Sequence, residues 1–232
     1  MRLRMLLVPV AASAALLVGA CTSGTPTVTP TPTTNGVEAK TADQIIGDAT
    51  KALEDAKSVH VEGTVGEAPL AITLDLVYAG ANVEGTVGVM GIDAEVIKVG
   101  PDVYVKADTA LFATFIPQDQ QALLPLLNGK WVKVNEGLIG TVLPVPLTIS
   151  ALVAPTKPVE KGDITTVNGT KAITVKDGDG SEFHVAIEGE PYLLDIKGDT
   201  GSVTFSDFDE TATVEAPKES DVVDILKMLG LG

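Results

Sequence analysis

Very few residues in this chain have the types and spacing to do chemistry. Cys21 is the only thiol, and His60 and His184 are the only imidazoles. A single cysteine allows no internal disulfide, and it excludes a Cys/His zinc site. Both histidines occupy polar positions of alternating segments, which predicts two surface imidazoles. One string has metal-ligand spacing: Asp177-Gly178-Asp179-Gly180-Ser181, with Glu188 further on. Its offsets match the carboxylate positions of a calcium loop. Glu182 stands where that loop needs glycine, however, and strand-like patterns flank it, so a polar hairpin turn is the simpler expectation. No G-x-S-x-G elbow, S-x-x-K pair, G-x-G-x-x-G fingerprint or Walker loop occurs. Carboxylates are plentiful, yet none stands in the apolar setting that marks a tuned acid–base pair. A Ser/His/Asp set can assemble from distant positions, but nothing here favours one. The expectation is no enzyme, no metal and no cofactor.

Cys21 has another use. Arg2 and Arg4 precede an uncharged apolar run from Met5 to Ala20, which ends in the small residues Val18-Gly19-Ala20 just before the cysteine. This is the layout of an export signal, and the cysteine makes it resemble a bacterial lipoprotein signal. Residues 1–20 then form the signal peptide, and Cys21 becomes the acylated first residue that anchors the chain to the plasma membrane. An ordinary secretory signal and an uncleaved anchor are the alternatives. Residues 21–40 read as a tether. Thr22 to Asn35 is uncharged and rich in Thr and Pro, so it favours extended polyproline-II geometry and reaches on the order of 40 Å.

The whole chain carries 31 acidic and 16 basic residues, a net −15. Such a surface repels nucleic acid and anionic lipid head groups. No nucleic-acid partner is expected.

Residues 41–232 are long enough for one domain with a sizeable core. After Thr41, the apolar residues Ile45, Ile46, Ala49, Leu53 and Ala56 recur at helical spacing, which predicts a short amphipathic helix. The pattern then changes to period two. His60–Val65, Ile72–Tyr78, Val83–Val89, Asp102–Lys106 and Trp131–Val134 alternate between glycine-rich breaks. A second block runs from Asp163 to Phe208, with Asn168-Gly169 as a tight hairpin signal. The hexapeptide VEGTVG occurs twice, at Val61–Gly66 and Val83–Gly88. In both copies the valines share one face with the central glycines, Gly63 and Gly85. Two copies are too few for a solenoid, so they read as two curved strands of one sheet. About ten strands are predicted in all.

Between the blocks lie two apolar stretches, 111–127 and 137–155, the second without a charge. A membrane span is one reading of the latter, but Pro144 and Pro146 interrupt it. Short helices or loops that cover the concave side of the sheet fit better. Aromatic residues make up only 4% of the chain, which suits neither sugar nor nucleobase stacking. An interior of Val, Leu, Ile and Ala suits an alkyl chain, at roughly 0.8 kcal/mol per methylene. The same residues could equally fill a core.

The order of these patterns resembles the actinobacterial LppX/LprA/LprF/LprG family of lipoproteins and, more distantly, the LolA-type lipoprotein carriers. The matching features are the Cys21 signal, the Thr/Pro tether and Ser58-Val-His-Val-Glu-Gly-Thr. They continue with Leu74-Asp-Leu-Val-Tyr, Val103-Tyr-Val-Lys, Trp131-Val-Lys-Val and Ser202-Val-Thr-Phe-Ser. The resemblance implies an α+β fold, a half-barrel of antiparallel strands wrapped over short helices around a hydrophobic cavity. It implies a membrane-anchored extracytoplasmic protein that binds or carries a lipid or lipoglycan, with an envelope transporter as a further partner. By analogy the cavity walls are Val61, Gly63, Val65, Ile72, Leu74, Leu76, Gly85, Val87 and Val89. Phe112, Phe115, Leu123, Leu127, Leu138, Ile139, Val142 and Leu143 would close them over. Gly63 and Gly85 would mark where curvature, or an acyl chain, needs a missing side chain. On the acyl-chain reading, leucine at either position blocks uptake without unfolding the domain. The other functional class is a surface interaction module with a filled core and an acidic docking face.

Overall fold

The computed structural model describes residues 33–67, 69–114, 116–134 and 145–228, with Leu226 by its main chain alone. Helix α1 spans Ala42–Asp55. It starts where a capping box closes its first turn: Thr41 Oγ1 accepts from Gln44 N, and Gln44 returns its side-chain oxygen to Thr41 N. Ile45, Ile46, Ala49 and Leu53 are buried on one face, as their spacing predicts.

Six strands follow in the first block: β1 Val59–Val65, β2 Ile72–Ala79, β3 Asn82–Val89, β4 Ile92–Val99, β5 Asp102–Ala107 and β6 Trp131–Val134. The second block supplies β7 Val159–Val167, β8 Thr170–Asp177, β9 Glu182–Ala186, β10 Leu193–Gly198 and β11 Gly201–Ser206. A short β12, Val222–Asp224, comes last. The turn between β7 and β8 has Asn168 and Gly169 at positive φ, 49° and 88°, as a type I′ hairpin requires.

All twelve strands join one open, curved sheet in the order β12-β6-β5-β4-β3-β2-β1-β11-β10-β9-β8-β7. Every neighbouring pair is antiparallel except β12 with β6. The two blocks are therefore halves of a single sheet, sewn together by β1 against β11 from Val65↔Gly201 to His60↔Ser206. β4 is absent from the strands predicted, and so is β12. β12 has three half-buried residues and pairs with a strand some ninety positions earlier, so no local pattern announces it.

The two VEGTVG copies flank β2, with Gly63 opposite Leu74 and Gly85 opposite Leu76. A Cβ on Gly63 would lie 2.2 Å from Ser202 O of β11, and one on Gly85 would lie 2.1 Å from Asp75 O of β2. Gly85 also has φ +147°. The neighbouring main chain occupies the space a side chain would need. This close approach of main chain requires glycine at both positions, and leucine there would push the strands apart rather than merely obstruct a ligand.

The inner face of the sheet is covered. Helix α1 packs against β7 to β10. Helix α2, Thr109–Ala113, and helix α3, Leu124–Leu127, bury Leu111, Phe112 and Leu127. A segment from Val145 leads into helix α4, Ile149–Leu152, with Val145, Leu147, Ile149 and Val153 buried. Tyr78 of β2 donates from its phenol to Pro146 O and so fixes this segment across the sheet. No helix among the described residues is long and apolar enough to cross a membrane. Helix α5, Ile225–Met228, ends the described chain.

The packed unit takes in part of the stretch assigned to the tether. Asn35 donates its amide to Ala186 O and Gly189 O, its main-chain N–H bonds Ile187 O, and Val37 is buried. These partners lie some 150 residues away along the chain, beyond the reach of any local reading.

Candidate functional site

A cavity of about 570 Å³ opens at the end of the sheet where the β1–β2, β8–β9 and β10–β11 turns lie. One wall comes from the inner face: Leu74 of β2, Phe183 of β9, Ile196 of β10 and Val203 of β11. Alternation puts these side chains on one side, and curvature brings strands from both blocks around a common space. The facing wall is the α4 segment, through Val145, Pro146, Leu152, Ala154 and Thr156. Val65 and Ile72 stand at the mouth, with Val65 39% exposed. The volume falls within the range of small-molecule sites, roughly 300–1,000 Å³.

Most of the polar lining comes from two turns. Asp177, Asp179 and Ser181 of the β8–β9 turn and Gly198, Asp199 and Thr200 of the β10–β11 turn line the mouth. Asp177 is buried, and its Oδ1 accepts from the main-chain N–H groups of Asp179 and Ser181. Thr156 Oγ1 donates to Asp179 Oδ2 and lies 3.3 Å from Asp177 Oδ2. This is a hydrogen-bonded hairpin turn. Glu188, the last member of the calcium-like spacing, lies instead 3.2 Å from the Lys171 ammonium. Lys171 is near the opposite end of β8 from Asp177, so the structure does not bring that set together.

The named wall residues fall into separate groups. Val65, Ile72 and Leu74 line the cavity. Val61, Leu76, Val87, Val89, Phe112 and Leu127 are buried in the core cluster, and Leu123 is half-buried. Gly63 and Gly85 lie in the sheet against neighbouring main chain. Cys21, Phe115, Leu138, Ile139, Val142 and Leu143 lie outside the described residues. Phe183, Ile196 and Val203 escaped the sequence reading. Their alternation was visible, but only the β1–β11 pairing, which no local signal gives, turns that face toward β2.

A second cavity, about 320 Å³, lies at the other end of the strands, between the β2–β3 turn and residues 147–150. Tyr78 and Lys98 line it. Lys98 is buried at an apolar strand position, and its ammonium donates to Ala81 O. Burial pushes the Tyr78 phenol far above its ordinary range.

The histidines behave differently from one another. His60 is partly exposed between two carboxylates, with Nε2 2.8 Å from Asp75 and Nδ1 3.4 Å from Asp207. His184 overturns the surface expectation. It is 5% exposed and bonded through Nδ1 to buried Asp195, whose other oxygen takes the Lys197 ammonium at 2.9 Å. The polar position was read correctly, but on this stretch of sheet neighbouring side chains cover the outer face as well.

No protein-family model matches the chain, and no curated protein does. Among solved structures it is similar to LprF from Mycobacterium bovis, at 16% identity over 76% of this chain and 96% of that one, with a TM-score of 0.46. It is also similar to the lipoprotein LppX from Mycobacterium tuberculosis, at 14% identity over 75% and 98%, again with a TM-score of 0.46. An uncharacterized conserved protein from Thermus thermophilus matches at 11% identity over 79% and 98%, with a TM-score of 0.43.

Proposed function

We propose that this protein binds the alkyl part of a lipid in the cavity between β2, β9, β10, β11 and the α4 segment, without chemical conversion of it. The observation that supports this most is the lining. Its walls are mainly aliphatic, with Phe183, and most of its polar groups come from the β8–β9 and β10–β11 turns. Apolar walls and room are what an alkyl chain needs, and each methylene withdrawn from water contributes roughly 0.8 kcal/mol. The carboxylates at the mouth accept from main-chain N–H groups and a threonine hydroxyl, an arrangement that supports a built turn rather than an acid–base pair. In this reading the chain is an extracytoplasmic lipoprotein held to the membrane by acyl chains on Cys21. Two or more chains on one residue give stable attachment. The cargo is a lipid or lipoglycan, held or passed on to an envelope transporter.

A cavity-blocking variant tests the binding claim. Val65 is partly exposed at the mouth, so Val65→Trp should fold and fill part of the space. Binding of a pyrene-labelled monoacylglycerol, followed by fluorescence, should weaken by about tenfold or more if the indole displaces a few methylenes of contact. A wild-type protein that fails to bind the probe, or a folded variant that binds it equally well, would overturn the proposal.

A further inference from the structure

The two sides of the cavity mouth are chemically unequal, and this has a consequence for the ligand's head. Three carboxylates, Asp177, Asp179 and Asp199, line the opening together with the hydroxyl-bearing Thr156, Ser181 and Thr200. No lysine, arginine or histidine lines this cavity among the described residues. The lysines of the adjoining strands turn to the opposite face and are taken: Lys176 lies 2.6 Å from Glu182, and Lys197 lies 2.9 Å from Asp195. Lys157 packs beside Gly178 of the same turn, outside the lining. The buried ammonium of Lys98 belongs to the second cavity at the far end of the strands. Asp177 and Asp179 both approach a single donor, the Thr156 hydroxyl, which has one proton to give. The mouth therefore holds surplus acceptors and surplus negative charge directly beside an apolar hollow.

On the reading that the hollow takes an alkyl chain, we infer that the site selects lipids whose head group donates hydrogen bonds and carries no negative charge, an amine or a polyol. A sulfate, phosphate or carboxylate head would bring like charge against three carboxylates and find few free donors. An ammonium or a set of hydroxyls would supply the protons these oxygens lack. The chain's overall acidity adds a general repulsion of anions, so the test must separate the local effect from the global one.

A series with one chain and different heads does this. Decylamine, decyl maltoside and decyl sulfate, each below its micelle concentration, compete for the pyrene probe on the Cys21→Ser chain at low salt. The amine and the maltoside should each bind about tenfold more tightly than the sulfate, the size of effect two or three partly screened charges give at these separations. The Asp179→Asn/Asp199→Asn double variant should shrink that ratio to about threefold or less, through tighter sulfate binding together with weaker amine and maltoside binding. Equal affinities for the three heads in the unmodified chain would overturn the inference and leave the alkyl cavity standing. A ratio unchanged in the double variant would assign the preference to net charge and overturn it too. If none of the three displaces the probe, the cavity reading itself fails.

Discussion

A phenol that stacks on a phenylalanine and donates to a carboxylate ought to titrate late. Tyr192 lies face to face with Phe208 at 4.1 Å and donates to Asp209 at 2.7 Å. Burial first, and then this bond, push its phenol up to about 12. The neutral form is favoured in the folded state, so the group's contribution is complete below pH 10 and is lost as pH rises toward 12. Ultraviolet titration should show the Tyr192 phenol at about 12 and the buried Tyr78 phenol later still, and Asp209→Asn should bring the Tyr192 step down part of the way. The same carboxylate accepts from Lys57 N–H, which with the phenol holds its pKa below the ordinary 3.8. Its contribution is therefore present above pH 3.8 and fades as pH falls below that value, which carboxyl NMR can follow. None of this was visible in the sequence, because Lys57, Tyr192 and Asp209 meet only after β1 and β10 have been placed. Glycines give a sharper contrast. Gly63→Ala would put a Cβ into the main chain of β11 and should cost about 3 kcal/mol or more by denaturant unfolding. Gly47 in α1 has open space around it, so Gly47→Ala should stabilise by about 0.5–1 kcal/mol.

Secondary elements were legible where their signals are local. Helix α1 announced itself through Thr41, Gln44 and the spacing from Ile45 to Leu53, and the capping box it uses is a pairing of neighbours. Thr41→Ala should cost about 1 kcal/mol and lower the melting temperature by about 2–4 °C in a domain this size. The β strands were legible from their alternation, as in Leu74, Leu76 and Tyr78 buried against exposed Thr73 and Asp75. Two things were not. β12 is too short to show a period. The stretch 145–156 is apolar without periodicity because it crosses the sheet partly extended, pinned at Pro146 by a tyrosine from β2. Its apolar character gave the correct sense of a cover, though the particular residues that face the cavity come from the tertiary fit. For the same reason the wall was only half read. The β2 side was named, whereas Phe183, Ile196 and Val203 required knowledge that β1 joins the two blocks.

Among the described residues, one curved sheet carries an apolar hollow at one end of its strands and a buried lysine at the other. Asn35, where the chain joins the folded unit, bonds the β9–β10 loop at the end opposite the hollow. The mouth and Asn35 thus lie at opposite ends of the strands. Lipid held inside would bury alkyl surface that is otherwise exposed to water, so binding should also raise the melting temperature, by an amount that grows with ligand concentration. The most direct measurement is native mass spectrometry of the Cys21→Ser chain, with organic extraction, after purification from an actinobacterial host and separately from a heterologous one. One alkyl-chain lipid per protein, released by organic solvent and absent from Val65→Trp, is the expected result, and its mass defines the cargo class. A bare protein from both hosts that also takes up no lipid in vitro would contradict the account and leave an interaction module with a filled core.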